Sequence, residues 1–98
     1  MILVTGSVTA KPDTIAELTR VSLEHVHRSR KEPGCIGHDV SVDADNPLKL
    51  HFIERWQDEA TLKTHFGVKE SRLFWKTLQS LAADPGAMHI YQSTEIKF

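Results

Sequence analysis

The chain has 98 residues, of which 40% are hydrophobic and 26% are charged, and its formal net charge is −1 with neutral histidines. This length predicts one domain, which we assign to residues 1–98, and is too short for two. A net charge so close to zero provides no electrostatic attraction to nucleic acid or to an anionic membrane, so we expect neither as a partner.

The amino terminus and the cysteine content indicate the compartment. The sequence has a single cysteine, Cys35, so an intrachain disulfide and a zinc site built from cysteines are excluded. Residues 1–4 (MILV) lack the charged region and long apolar run of a signal peptide. No apolar stretch approaches the roughly 20 residues that a membrane span needs. We therefore expect a cytoplasmic protein.

The first quarter of the chain predicts a strand followed by a helix. Residues 2–9 (ILVTGSVT) alternate between two faces, which is typical of a strand with one buried side. From residue 14 to about residue 30, apolar side chains recur at helical spacing. Three polar residues, Ser22, His25 and Ser29, continue the apolar stripe of this helix. We therefore expect these polar side chains where core residues normally lie.

The middle of the chain predicts two strands joined by a tight turn. Residues 36–42 alternate, and His38 takes a position where an apolar side chain would point inward. Residues 43–47 (DADNP) are rich in turn-forming types and are short enough to connect an antiparallel hairpin. The second strand covers residues 48–56, and Glu54 interrupts its otherwise apolar even-numbered face.

The last part of the chain predicts a helical region and a final strand. Asp58 suits the N-cap of a helix that carries His65 on its apolar stripe, and Gly67 weakens or bends this helix. The helical pattern resumes near Glu70 and ends before the Asp-Pro-Gly sequence at residues 84–86. Residues 87–96 then read as a fourth strand that carries the following apolar side chains on one face: Met88, Ile90 and Ile96.

The order of these elements predicts the fold class. Strand, helix, strand, strand, helix, strand (βαββαβ) is the split βαβ plan, so we expect a ferredoxin-like α+β fold with a four-stranded antiparallel sheet. Helices would cover one face of this sheet. The opposite face carries Leu3, Ile53 and Tyr91, which favours packing against a second copy of the chain. A small domain has a thin stability margin, so we expect a homodimer.

Two segments resemble the antibiotic-biosynthesis monooxygenase family. Residues 29–40 (SRKEPGCIGHDV) look like the helix-to-strand junction of that family, and residues 52–65 (FIERWQDEATLKTH) match its Glu-x-Trp and Leu-x-x-His motif. The resemblance implies a dimeric α+β barrel in which two sheets face each other and each subunit keeps a pocket between sheet and helices. Several members oxygenate aromatic polyketides or quinols with neither metal nor flavin.

The resemblance therefore favours a cofactor-independent monooxygenase that uses O2 on a quinol or a polycyclic phenol. Such an enzyme needs a base, for which a histidine titrating near neutral pH is suitable, and aromatic walls that hold a flat substrate. The candidate catalytic residues are His65, which matches the family histidine, His25 and His38. The candidate substrate-binding residues are Trp56, Phe74, Trp75 and Glu54. Packed neutral imidazoles, core aromatics and a buried ion pair are the structural alternatives for these residues.

Other functions remain open or are disfavoured. No two histidines stand at i, i+4 on one helix, so we predict no metal site and no cofactor. Haem-degrading relatives resemble one another in an asparagine on the first strand, whereas the asparagine here, Asn46, lies in a turn. Phosphosugar isomerase relatives resemble one another in a second histidine where this chain has Glu70. A non-catalytic ligand-binding or stress-response domain and an isomerase of a small carbonyl compound remain alternatives.

Overall fold

The predicted order of strands and helices is confirmed in a computed structural model, which describes residues 1–98. One helical region is divided in two, so the chain has seven elements. They are β1 (Ile2–Thr9), α1 (Ile15–Ser29), β2 (Cys35–Asp43), β3 (Asn46–Trp56), α2 (Glu59–Gly67), α3 (Lys69–Leu81) and β4 (Ala87–Gln92). Together they form the ferredoxin-like α+β fold that the sequence predicts.

The four strands form one antiparallel sheet in the order β2-β3-β1-β4. The central strand β1 pairs with β3 on one side and with β4 on the other, so that Val4 lies opposite both Glu54 and Ile90. Helices α1 and α3 pack on the face of the sheet that carries Val8 and Leu50. This face holds the hydrophobic core.

The core consists of two apolar clusters at different heights along β3. Leu50 belongs to the first cluster, which includes Leu18 and Phe74 from the helices. Trp56 belongs to the second cluster, at the other end of the same strand. Glu54 lies on β3 between these two clusters, so a polar layer separates them.

The polar stripe predicted on α1 is confirmed. Ser22, His25 and Ser29 are all buried in the face that packs against the rest of the domain. The Ser29 hydroxyl donates a hydrogen bond of 2.7 Å to the His25 carbonyl, so it is satisfied within the helix. Small hydroxyl side chains therefore flank an imidazole at positions that large apolar residues usually occupy.

The break in the second helical region also agrees with the sequence. Asp58 caps α2 by accepting a hydrogen bond of 2.9 Å from the Thr61 backbone nitrogen. Helix α2 ends at Gly67, and Val68 has an extended backbone with ψ of 134° before α3 begins. The glycine thus ends the helix rather than bending it.

Two details of the strands differ from the prediction. Strand β4 ends at Gln92 because its partner β1 begins at Ile2, so Ile96 lies beyond the sheet and is 75% exposed. In β2 an irregularity between Cys35 and Gly37 interrupts the alternation, and Ile36 is 57% exposed. Neither isoleucine contributes to the core.

The second face of the sheet carries the apolar side chains that the sequence placed there. Leu3 lies opposite Tyr91 in the β1–β4 pairing, and Ile53 occupies the same face on β3. Ile53 is 40% exposed and Tyr91 is 49% exposed in the single chain. The expected packing against a second copy stays a prediction. None of the three helices combines the length and the apolar composition that a membrane span requires.

Candidate active site

Three histidines from three different elements meet in the polar layer between the two core clusters. His25 of α1, His38 of β2 and His65 of α2 are 4%, 1% and 1% exposed. The His25 ring centroid lies 5.2 Å from each of the other two, and the His38 and His65 centroids are 5.8 Å apart. The fold therefore brings together all three histidines that the sequence singled out, and we call them the histidine cluster.

Aromatic rings cover two members of the histidine cluster. Phe74 stacks on His25 with a centroid distance of 4.0 Å and an interplanar angle of 4°. Trp56 lies 4.6 Å from the His65 ring. These contacts fix the orientation of the imidazoles and exclude water from their faces.

Glu54 lies beside the histidine cluster and is only 7% exposed. Its Oε1 atom accepts a hydrogen bond of 2.9 Å from the Trp56 indole nitrogen. The same atom is 3.7 Å from His65 Nε2, and Oε2 is 3.8 Å from His38 Nε2. Both separations are too long for a hydrogen bond, so the carboxylate faces two imidazole nitrogens across a narrow gap.

The second ring nitrogen of His65 has a partner of its own. Its Nδ1 atom lies 2.7 Å from the Glu32 Oε1 atom. Because an ionised carboxylate only accepts hydrogen bonds, Nδ1 is the donor. In the neutral ring this leaves the lone pair on Nε2, the atom that faces Glu54.

His25 has the opposite tautomer. The Arg28 guanidinium donates a hydrogen bond of 2.6 Å to His25 Nδ1 and a longer one of 3.4 Å to the Ser71 hydroxyl. Since arginine cannot accept, Nδ1 carries the lone pair and Nε2 of the neutral ring carries the hydrogen. His25 therefore presents an N–H donor on its other side.

Burial keeps two of the imidazoles uncharged. Together with the nearby His38, His65 and Arg28, burial lowers the pKa of His25 to about 2, and burial is the largest cause. Burial also lowers the pKa of His38 to about 3. Of the two roles that the sequence leaves open for His25 and His38, the low pKa values favour the packed neutral imidazole over a base that titrates near neutral pH.

Glu54 shifts in the opposite direction. Burial raises the pKa of its carboxyl group, and the hydrogen bond from Trp56 offsets part of this increase. Desolvation disfavours the charged form of acids and bases alike, so one environment explains all three shifts.

A cavity of about 140 Å³ opens between the sheet and the helices beside the histidine cluster. Its polar end is formed by His25, His38 and Glu54, and its walls include Phe74 and Trp75. Two predicted site residues, His65 and Trp56, do not line it. They lie behind Glu54, on the side away from the cavity.

Sequence reasoning missed Arg28 and Glu32 as partners of the cluster. Arg28 stands three residues after His25, so helical spacing alone places the two side chains on neighbouring positions of α1. Glu32 follows the helix within the segment 29–40, where no spacing predicts a partner for its side chain. Its contact with His65 spans 33 residues and has no local signal.

Known proteins resemble this chain over most of its length. A family model described as antibiotic biosynthesis monooxygenase matches residues 1–77. An uncharacterized Synechocystis protein, sll1783, is 32% identical over 94 residues, which are 96% of this chain and 64% of that protein. This chain therefore spans less than two thirds of that relative.

Solved structures share the fold. A crystal structure of an antibiotic biosynthesis monooxygenase is 25% identical with a TM-score of 0.89, covering 97% of this chain and 100% of that one. Rv0793 from Mycobacterium tuberculosis is 21% identical with a TM-score of 0.90, covering 97% and 96%. The second likeness supports the fold alone.

Proposed function

The chain belongs to the antibiotic biosynthesis monooxygenase family, and on that premise we propose that it oxygenates an electron-rich phenol or quinol with O2 and without a cofactor. One observation carries this proposal: the cavity has a mainly apolar lining that includes one group of neighbouring polar side chains, His25, His38 and Glu54. An aromatic ring would occupy the apolar part and direct its hydroxyl group to the polar end.

The size of the cavity favours a single-ring substrate. Its volume is about 140 Å³. An apolar protein cavity of roughly 150 Å³ accommodates benzene. A one-ring phenol or quinol would therefore fit inside, whereas a polycyclic phenol would have to extend through the cavity mouth. Of the two substrate classes that the sequence suggests, the single-ring quinol is the better match.

His25 is suited to hold the substrate as an anion. Cofactor-free oxygenation requires a phenolate that can give an electron to O2. Arg28 bonds to Nδ1 of His25, so the opposite nitrogen of this cavity-lining ring carries a hydrogen. A preorganised donor beside a developing negative charge stabilises it without reorganisation. We therefore assign His25 the role of donating a hydrogen bond to the substrate oxygen.

Glu54 is the group that we propose to take the phenolic proton. It lines the cavity, and the bond from Trp56 to Oε1 leaves Oε2 free. His38 lies beside Oε2 and also lines the cavity, so it would contact the same substrate. His65 does not line the cavity, and we assign it no contact with the substrate.

The electrons for this reaction come from the substrate. One atom of O2 becomes a carbonyl oxygen on a ring carbon, in place of the hydrogen of that carbon. The other atom of O2 leaves as water. A phenol thereby becomes a quinone, so no external reductant is needed. Aromatic walls such as Phe74 and Trp75 would hold the ring while O2 reacts beside it.

Oxygen consumption by the purified protein tests the proposal. One-ring phenols and quinols, together with anthrone as a larger substrate, would be compared with a protein-free control. We expect turnover of at least one one-ring substrate, and Glu54→Gln should lower kcat by roughly 10²- to 10⁴-fold, as loss of a general base does. His27→Ala, on the exposed side of α1, is the matched control. Uptake no faster than the protein-free control for every substrate would refute the proposal.

A ligand-binding role without turnover is the alternative that one observation favours. The low pKa values of His25 and His38 make these imidazoles weak bases. Under this alternative, calorimetry would detect quinol binding while oxygen consumption stays at the control rate.

A further inference from the structure

The gap between Glu54 and the imidazoles has an unusual width. His65 Nε2 lies 3.7 Å from one carboxylate oxygen and His38 Nε2 lies 3.8 Å from the other. A direct hydrogen bond is shorter than either distance. A water that bridges two groups with hydrogen bonds of about 2.8 Å would hold them about 4.5 Å apart. The observed gap is therefore wider than a hydrogen bond and narrower than a water bridge, as in a contact without a hydrogen bond.

A metal ion would fit this gap. Zinc binds histidine nitrogens and carboxylate oxygens at about 2.0–2.2 Å in a tetrahedral arrangement, so two ligand atoms on one ion lie about 3.3–3.6 Å apart. The nitrogen-to-oxygen distances of 3.7 and 3.8 Å at Glu54 exceed this range by only a few tenths of an ångström. One ligand atom each of His25, His38 and His65 lies within 4.8 Å of the other two, so side-chain rotations could bring a nitrogen of His38 and one of His65 onto the same ion.

We propose that His38, His65 and Glu54 form a binding site for a divalent first-row transition metal. Two imidazoles and one carboxylate are a ligand set that zinc and non-haem iron use, with further positions open to water or substrate. Because Glu54 and His38 line the cavity, the open positions would face it. The set has no thiolate, which favours Zn²⁺, Fe²⁺, Co²⁺ or Ni²⁺ over Cu⁺.

The surroundings of the three ligands support this assignment. Glu32 accepts from the Nδ1 atom of His65 at 2.7 Å, as a carboxylate does behind a metal-bound histidine. Trp56 donates to Glu54 and fixes that ligand. His38 is 1% exposed, and its Nδ1 atom has no hydrogen-bond partner, so no protein group fixes which of its two ring nitrogens carries the lone pair.

His25 is left out of the ligand set. Arg28 donates to its Nδ1 atom, so the other nitrogen carries a hydrogen and is not a metal ligand in this tautomer. The guanidinium also places a positive charge close to the cluster. The two carboxylates of Glu32 and Glu54 offset two of the three positive charges that Arg28 and a divalent ion carry together.

The proposed metal site goes beyond the proposed oxygenase function. An oxygen atom of Glu54 that binds a metal cannot also accept a phenolic proton. The oxygenase proposal therefore requires that the metal-free protein is active, whereas the metal proposal makes no such requirement. Metal binding is measured by spectroscopy and needs no turnover. The two proposals therefore succeed or fail separately.

Cobalt titration of the whole chain tests the site. Protein without a purification tag would be stripped with a chelator, dialysed and titrated with Co²⁺. We expect visible d–d absorption that saturates at one ion per chain and disappears when Zn²⁺ is added. Absence of this absorption, with no Zn²⁺ retained after dialysis, would overturn the proposal.

Two isosteric variants and one control locate the site. Glu32→Gln should weaken binding by roughly 10- to 100-fold, as loss of an outer partner of a metal-bound histidine does. Glu54→Gln removes a ligand, so the metal affinity should fall at least as much, by about 10-fold or more. His27→Ala, two residues from His25 on the exposed side of α1, should bind as the parent does. Near-UV circular dichroism would confirm that each variant is folded. Binding that survives Glu54→Gln unchanged would refute the assignment.

Oxygen consumption of the stripped and loaded forms then separates the two proposals. Turnover by the stripped protein together with saturable Co²⁺ binding supports both. Turnover by the loaded protein alone would refute the cofactor-free function while supporting the metal site. Turnover by the stripped protein without Co²⁺ binding would refute the metal site alone.

Discussion

His65 Nδ1 and Glu32 Oε1 lie 2.7 Å apart although 33 residues separate them in the chain. The turn after α1 makes this contact possible. Gly34 has a φ of 84°, a left-handed conformation that other residues rarely adopt, and its carbonyl accepts a bond of 2.8 Å from the Gln57 backbone nitrogen. This turn places the carboxylate of Glu32 beside α2, where it meets the imidazole.

The Glu32–His65 bond should contribute measurably to stability. Glu32→Gln replaces a charge-assisted bond with a neutral one, so we expect the free energy of unfolding to fall by about 1–3 kcal/mol. Urea denaturation followed by circular dichroism measures the change. Glu24→Gln, which alters an exposed carboxylate on α1, is the control and should change stability by less than about 0.5 kcal/mol. Equal effects of the two substitutions would contradict a special role for this bond.

Acid should destabilise the domain through His25 and His38. In the folded protein their pKa values are about 2 and about 3, whereas an unfolded histidine titrates near 6.5. Below about pH 6.5 the unfolded state therefore binds more protons than the folded state. The free energy of unfolding consequently decreases as the pH decreases. At pH 5 we expect a loss of about 2 kcal/mol per histidine relative to pH 8.

Urea unfolding at several pH values between 8 and 5 measures this loss. The slope of the free energy of unfolding against pH should be smaller in His38→Gln, because this variant lacks one of the two buried titrating groups. A free energy of unfolding that stays constant over this range would show that the two imidazoles are not held neutral by burial.

The sequence predicts the fold better than it predicts the site. Alternation and helical spacing report which face of an element is buried, so the positions of His25 and His38 could be inferred from their own elements. Glu54 stood out for the same reason, as a carboxylate on an apolar strand face. The order of elements then fixed their approximate neighbourhood.

The sequence does not distinguish the buried residues that line the cavity from the buried residues that do not. His65 and Glu54 both lie on buried faces, yet only Glu54 lines the cavity. That difference depends on how far α2 lies from the sheet, which no spacing records. The Glu32–His65 contact and the narrow gap at Glu54 likewise depend on tertiary packing. A metal site built from three separate elements leaves no short motif for the same reason.

The wall residue Trp75 should determine which substrates fit. It is partly buried and lines the cavity, so Trp75→Ala would enlarge the space beside Phe74. If the chain is an oxygenase, we expect this variant to shift the preference from one-ring phenols to two-ring phenols by roughly tenfold in kcat/KM. Steady-state oxygen consumption with phenol and 1-naphthol measures the ratio. Trp75→Phe is the conservative control, and an unchanged ratio in Trp75→Ala would place the substrate elsewhere.

The second face of the sheet should form a homodimer contact. Ile53 is 40% exposed on β3 and shares its face with Leu3 and Tyr91, so a charge at this position would be buried without a partner in a face-to-face dimer. We expect Ile53→Lys to convert a dimer into a monomer at micromolar concentration, as light scattering after gel filtration would detect. Leu73→Lys adds the same charge to α3, where the side chain is 52% exposed, and should leave the dimer intact. A monomeric parent protein, or a dimer that tolerates Ile53→Lys as well as Leu73→Lys, would show that the two sheets do not pack face to face.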